Sequence, residues 1–212
     1  MNLNFKIFKL AFVFLSCFFV TNCSFSQEGT SLMKAQFGLG INSPSSSGFV
    51  GDFEGKGINF PTVDLGLQYM FSSSLGAKLD YSFSRVSNND NTPQFKLNYS
   101  RINAQLMYDV NNIFTFLPPR VGVFFHAGPG YSTVKPLGNY TENKKSFLNI
   151  MAGMQCHYGL SDTLSIYTDV SYINGFRKDF NPISSGYGSF NGNMLTVTFG
   201  VSISLSGCYF CD

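Results

Sequence analysis

What most constrains this chain is a two-residue hydrophobic period that returns along it eight times and never gives way to a helical stripe. Side chains of a β-strand alternate between faces, so each such segment reads as a strand with one apolar side. The segments are Met33–Ile41, Phe60–Phe71, Ser74–Val86, Gln94–Val110, Arg120–Tyr131, Phe147–Tyr158, Thr163–Ile173 and Asn193–Leu205. Their apolar sides are nearly free of charge, as in Phe37-Leu39-Ile41, Val63-Leu65-Leu67, Leu75-Ala77-Leu79 and Val197-Phe199-Val201. Only the fourth segment breaks phase. Phe95, Leu97 and Tyr99 fall on the opposite parity from Ile102, Ala104 and Leu106, and a bulge near Ser100 is expected to reconcile them.

The opposite faces are polar. Asp64, Gln68, Lys78, Asp80, Arg101, Asn103, Gln105, Asn149, Gln155, Asp169, Thr196 and Thr198 share one side, with His126 and His157. Aromatic rings collect at the ends of the apolar sides: Tyr69, Phe71, Tyr108 and Tyr158 at one level, Phe83 and Tyr172 at the other. Amphipathic rings at two levels suit the two interfaces of a membrane. A soluble ligand-binding barrel would carry charge outside and apolar residues within. Charged residues are only 12% of this chain, about half the usual share, and the exterior charge it would need is missing.

The connections support the same architecture. Segments 42–59, 87–93, 132–146 and 174–192 read as long and polar, whereas 72–73, 111–119 and 159–162 are shorter. Long outer loops alternating with short periplasmic turns predict an all-β, closed antiparallel up-and-down transmembrane barrel of about eight strands, with both termini periplasmic. Closure is required because lipid cannot satisfy the polar groups of a free strand edge.

Residues 1–26 read as a cleaved signal peptide: Lys6 and Lys9, then the apolar run Leu10–Val20, then Ser24 and Ser26 before Gln27. A lipoprotein signal acylated at Cys23 is the rival, but Asn22 is large where a small residue is needed. Residues 27–212 then form one barrel domain with a short tail, 206–212. Removing Lys6 and Lys9 leaves basic and acidic residues equal in number, so net charge gives no case for a nucleic-acid partner.

Chemical motifs are sparse. Cys156, Cys208 and Cys211 remain after the leader, an odd number that makes no disulfide framework. Cys208 and Cys211 have CxxC spacing without a thioredoxin-like context or further zinc ligands. Asn88-Asn89-Asp90-Asn91 offers one carboxylate where calcium takes six to eight oxygens. Gly38, Gly40, Gly66 and Gly76 read as strand positions allowing close packing. His126 as the base of an outer-membrane hydrolase is weighed against His126 as a hydrogen-bonded lumen residue, and the second reading is preferred. No catalytic, cofactor or metal residue is assigned. An eight-stranded lumen is just wide enough for side chains to fill it, so Asp64, Lys78, Asp80, Arg101 and Asp169 are expected to neutralise one another.

Val121–Tyr131 with Ala127-Gly128-Pro129-Gly130-Tyr131, Ala152-Gly153 and the final Leu195–Leu205 strand resemble the small outer-membrane β-barrel family common in Bacteroidota. The resemblance covers roughly residues 30–205 and is architecturally similar to OmpA- and OmpX-type barrels. It implies a Gram-negative outer-membrane location, contact with lipid and the barrel assembly machinery, and no shared catalytic residues. Some members of that family are PorT-like and linked to type IX secretion. The chain departs from the pattern in lacking a terminal aromatic residue. The expectation is a non-enzymatic surface-interaction protein working through loops 43–51, Lys144-Lys145 and Arg177–Tyr187. A secretion-machine accessory and a narrow channel are the alternatives.

Overall fold

The computed structural model describes residues 33–49, 52–111, 113–114, 116–176 and 190–205. The leader, the 206–212 tail with Cys208 and Cys211, and the 177–187 loop lie outside the described residues. Eight strands follow in chain order: β1 Met33–Pro44, β2 Asn59–Met70, β3 Leu75–Ser87, β4 Lys96–Asp109, β5 Val121–Pro136, β6 Lys145–Gly159, β7 Leu164–Gly175 and β8 Met194–Ser204. Each pairs antiparallel with the next, and β8 closes on β1 from Lys34↔Ser204 to Pro44↔Met194. Closure leaves no strand edge in lipid, where each unpaired backbone group would cost several kcal/mol.

The exterior is the apolar side of every strand. Phe37, Leu65, Leu79, Ile102, Leu106, Phe125, Leu148, Ile166 and Phe199 are all exposed there. The lumen takes the polar side, burying Asp64, Lys78, Asp80, Arg101, His126, His157 and Asp169. A lipocalin-like barrel has the inverse arrangement.

Two expectations need correction. β4 carries no bulge near Ser100: its pairing with β3 runs unbroken from Leu75↔Tyr108 to Ser87↔Lys96. Phe95, Leu97 and Tyr99 point inward and are buried, so the strand changes not its phase but the character of its lumen face. The irregularity lies instead between Gly40 and Asn42, where the β1–β2 register shifts. The connections also alternate less cleanly than expected. Residues 132–136 and 145–146 belong to β5 and β6, leaving 137–144 shorter than the 110–120 connection at the other end. These strand ends stand beyond the apolar band, where an outward Thr133 or Ser146 meets water, and so the two-residue contrast fades although the ladder continues.

β5 has 16 residues and β6 has 15. A tilted strand needs only about 9–11 residues to cross the hydrocarbon. The surplus lies at the end opposite the termini, where the β3–β4 and β5–β6 strands rise past the apolar band.

Candidate functional site: a filled, charge-balanced lumen

The lumen is stacked in three zones. Nearest the chain termini, Met70, Met107 and Phe124 form a small buried cluster. Lys34 Nζ sits 5.4 Å from the centre of the Phe124 ring, and His157 stacks on Tyr167 with centroids 5.3 Å apart. Room for Tyr167 comes from glycines on the two strands facing it. A Cβ at Gly38 would lie 2.7 Å from the Tyr167 hydroxyl oxygen, and one at Gly200 would lie 2.7 Å from its ring. Gly66 similarly makes room for the Lys78 stem, whose Cε would be 2.8 Å from a Cβ there.

The middle zone holds the charges. Arg101 Nη1 donates to Asp80 Oδ2 at 2.6 Å, and its Nη2 lies 3.6 Å from Asp64 Oδ1. Lys78 Nζ stands between two carboxylates, 3.6 Å from Asp64 Oδ2 and 3.9 Å from Asp169 Oδ2. His126 Nε2 lies 3.1 Å from Asp169 Oδ2, and its Nδ1 meets the Gln105 amide oxygen. Amides complete the shell: Gln155 donates to Asp169 at 2.7 Å, Gln105 donates to Asp80, and Asn103 donates to Asn149 at 2.7 Å. Three carboxylates thus face Lys78, Arg101 and a histidine whose two ring nitrogens both look at oxygens. Isolated ions in so dry a space would each cost several kcal/mol, and mutual pairing removes most of that penalty.

Toward the loop end the lumen becomes apolar. Val86, Phe95, Leu97, Tyr99, Val134, Phe147, Met151, Ile173, Phe190 and Met194 form one buried cluster, with Phe49 and Phe53 packed on it. Phe190 stacks on Phe49 at 4.8 Å, so the segments on either side of the β1–β8 seam close over the barrel mouth. Tyr99 joins the two zones, its hydroxyl 2.6 Å from Ser132 Oγ.

Every lumen residue named from sequence is buried where expected, His126 and His157 included. In the sequence the lumen aromatics Phe95 and Tyr99 look like a phase error, because an apolar residue at a lumen position carries no mark that separates it from a lipid-facing one. Gln36 and Tyr167 join the lumen as well, and the signal for them in the sequence is a polar or amphipathic side chain alternating with apolar neighbours. The Ser171 hydroxyl donates to Asp169, not to His126, so the nucleophile–base contact of an acyl-transfer triad is not formed. Among the described residues, no group of three or more His, Cys, Asp or Glu side chains is placed to hold a metal. Asp90 pairs with Lys56 at 3.4 Å. Cys156 is a free thiol on the outer face. That face also carries an open apolar depression of about 710 Å³ over Ala127, Ala152 and Gly153, bounded by Leu106, Phe125 and Met154.

Several solved structures share this architecture. Neisserial surface protein A superposes with a TM-score of 0.55 at 14% identity, over 84% of this chain and 100% of that one. OprG of Pseudomonas aeruginosa gives 0.54 at 12% identity, over 83% and 97%. Ail of Yersinia pestis, crystallised with the heparin analogue sucrose octasulfate, gives 0.51 at 13% identity, over 84% and 99%. At these identities the likeness is one of fold. No curated protein matches the chain. The model of the outer membrane protein beta-barrel domain matches residues 10–202, all eight strands but the last two residues of β8, and the chain belongs to that family.

Proposed function

We propose that this barrel is a non-enzymatic outer-membrane scaffold that presents its loops to other surfaces or proteins, with both termini in the periplasm. The observation that carries this reading is the filled lumen: a paired charge layer lies between two apolar layers, which supports a structural interior. What remains free to act is the surface beyond the membrane. Residues 52–58 and 88–95 are joined there by the Gly55↔Asn88 bridge and the Lys56–Asp90 pair. The test is deletion of residues 52–57 or 138–143 in the native envelope. Loss of adhesion or of a surface partner supports the scaffold, and unchanged binding and envelope phenotypes with both deletions overturn it. In a planar bilayer the intact protein is expected to give no discrete conductance steps.

A second reading, an accessory part of a secretion or assembly machine of the Bacteroidota PorT-like kind, is favoured by the 110–120 connection. Ile113 and Phe116 are 61% and 79% exposed there, and Phe114 packs edge-on against Phe116 at 5.8 Å. Exposed apolar side chains at the terminal end of the barrel suit a protein partner. Mild-detergent purification of the tagged protein from outer membranes distinguishes the readings: a stoichiometric partner lost on Phe116→Asp supports the machine component, and a lone barrel supports the scaffold.

A further inference from the structure

Three cross-strand rows climb the outward face of β3 to β6 at the loop end. The lowest is apolar: Tyr81↔Ile102, Ile102↔Tyr131 and Tyr131↔Leu148 are successive partners. Two residues further on comes a row with three hydroxyls, Phe83↔Ser100, Ser100↔Thr133 and Thr133↔Ser146, in which Thr133 and Ser146 share a 2.9 Å hydrogen bond. Two residues beyond that, Arg85 pairs with Asn98 and Asn98 with Lys135. Lys144 stands one position past the last β5–β6 pair, Val134↔Lys145, and extends this third row. Lys96 lies directly above Asn98 on the same face of β4.

The third row is cationic. Arg85 Nε donates to Asn98 Oδ1 at 3.0 Å, which fixes the guanidinium without cancelling its charge. Among the described residues no carboxylate pairs with Arg85, Lys96, Lys135 or Lys144. Among the described residues, β1 and β7 present the uncharged Ser43 and Asn174 as their last outward side chains at this end. Strand rise and tilt put the cationic row about 10 Å beyond the last apolar row. The polar layer of a bilayer extends about 5–8 Å past the hydrocarbon on each side, and long Lys and Arg side chains reach back toward it.

We propose that Arg85, Lys135 and Lys144, with Lys96 above them, form a docking surface for the phosphate groups of lipid A in the outer leaflet. It rests on the proposal that the loop end faces outward. Continuity with the lipid-facing band selects the occupant: a molecule whose acyl chains lie against Ile102 and Leu148 brings its headgroup to the level of these cations. The hydroxyls of Ser100, Thr133 and Ser146 lie between, where sugar hydroxyls of the same headgroup would meet them.

The test is native mass spectrometry of the full protein released from micelles equilibrated with bis-phosphorylated lipid A. Wild type is expected to retain the lipid. Each cation removed near an anionic lipid surface costs about fivefold in binding, so Arg85→Gln/Lys135→Gln/Lys144→Gln is expected to lose on the order of a hundredfold. Arg85→Lys/Lys135→Arg/Lys144→Arg is expected to retain it, and heat-modifiable gel mobility reports that each variant is a folded barrel. Equal retention by the glutamine variant overturns the proposal, as does equal retention of dephosphorylated lipid A. Full displacement by millimolar inorganic phosphate reassigns the row to free anions and overturns the lipid assignment. An epitope in 137–144 that antibody reaches only in broken cells overturns the leaflet assignment separately, whatever the micelle result.

Discussion

Arg101 Nη1 lies 2.6 Å from Asp80 Oδ2 across the β3–β4 hairpin, and both side chains are sealed inside the barrel. The pair sits at the centre of the charge layer that fills the lumen, and its removal tests whether that layer is structural. Arg101→Met leaves Asp80 and Asp64 without their guanidinium. It is expected to destabilise the barrel by about 3–5 kcal/mol. Adding Asp80→Asn to Arg101→Met is expected to recover part of that loss, because the second change removes an unpaired ion. Urea titration of the protein refolded in lipid vesicles reads both. A loss under 1 kcal/mol in the single variant, or additive losses in the pair, would show that water or rearrangement neutralises the site.

Gly38 and Tyr167 make a steric prediction. A methyl group at Gly38 would press on the Tyr167 hydroxyl at 2.7 Å, whereas its remaining neighbours on Thr198 stand at ordinary contact distance, 3.5 Å. Gly38→Ala is expected to cost about 1–3 kcal/mol. Tyr167→Phe removes the offending oxygen, which has no hydrogen-bond partner among the described residues. The double variant is therefore expected to regain near-wild-type stability. No rescue would place the strain in the β1–β8 backbone.

The aromatic closure of the loop end and the charge layer below it are independent barriers. Phe190→Ala is expected to loosen the 45–58 connection, since Phe49 loses its stacking partner. Faster proteolysis of that connection in intact cells is the readout. The same variant is expected to stay silent in a planar bilayer, because Lys78, Arg101 and their carboxylates still fill the section beneath. Conductance steps in Phe190→Ala would assign the whole seal to the aromatic layer.

Depth along β4 should grade the cost of charge on the outer face. Leu106 is 69% exposed on the apolar band, and Ser100 lies toward its upper margin. Leu106→Arg is expected to cost about 2–4 kcal/mol, and Ser100→Arg about 0–1 kcal/mol. Equal costs at the two positions would mean that the band has been drawn at the wrong height.

Much of this architecture was legible in one dimension, for a physical reason. Lipid demands an apolar residue at every second position, and an eight-stranded lumen admits a polar one at the others, so Leu79 and Asp80 declare opposite faces simply by adjacency. The sequence by itself therefore determined the strands and the polar members of the lumen's charge layer, Asp64, Lys78, Asp80, Arg101 and Asp169. It could not determine depth. Apolar residues are tolerated inside the barrel as well as outside it, and Phe95, Leu97 and Tyr99 look like a slipped strand until the continuous β3–β4 register turns them inward. Nor could it determine pairing: that Asp169 serves both Lys78 and His126, or that Arg85, Asn98 and Lys135 share one row, follows from the stagger of strands far apart in the chain. Alternation is a local property and survives in the sequence, whereas register is set only when the barrel closes.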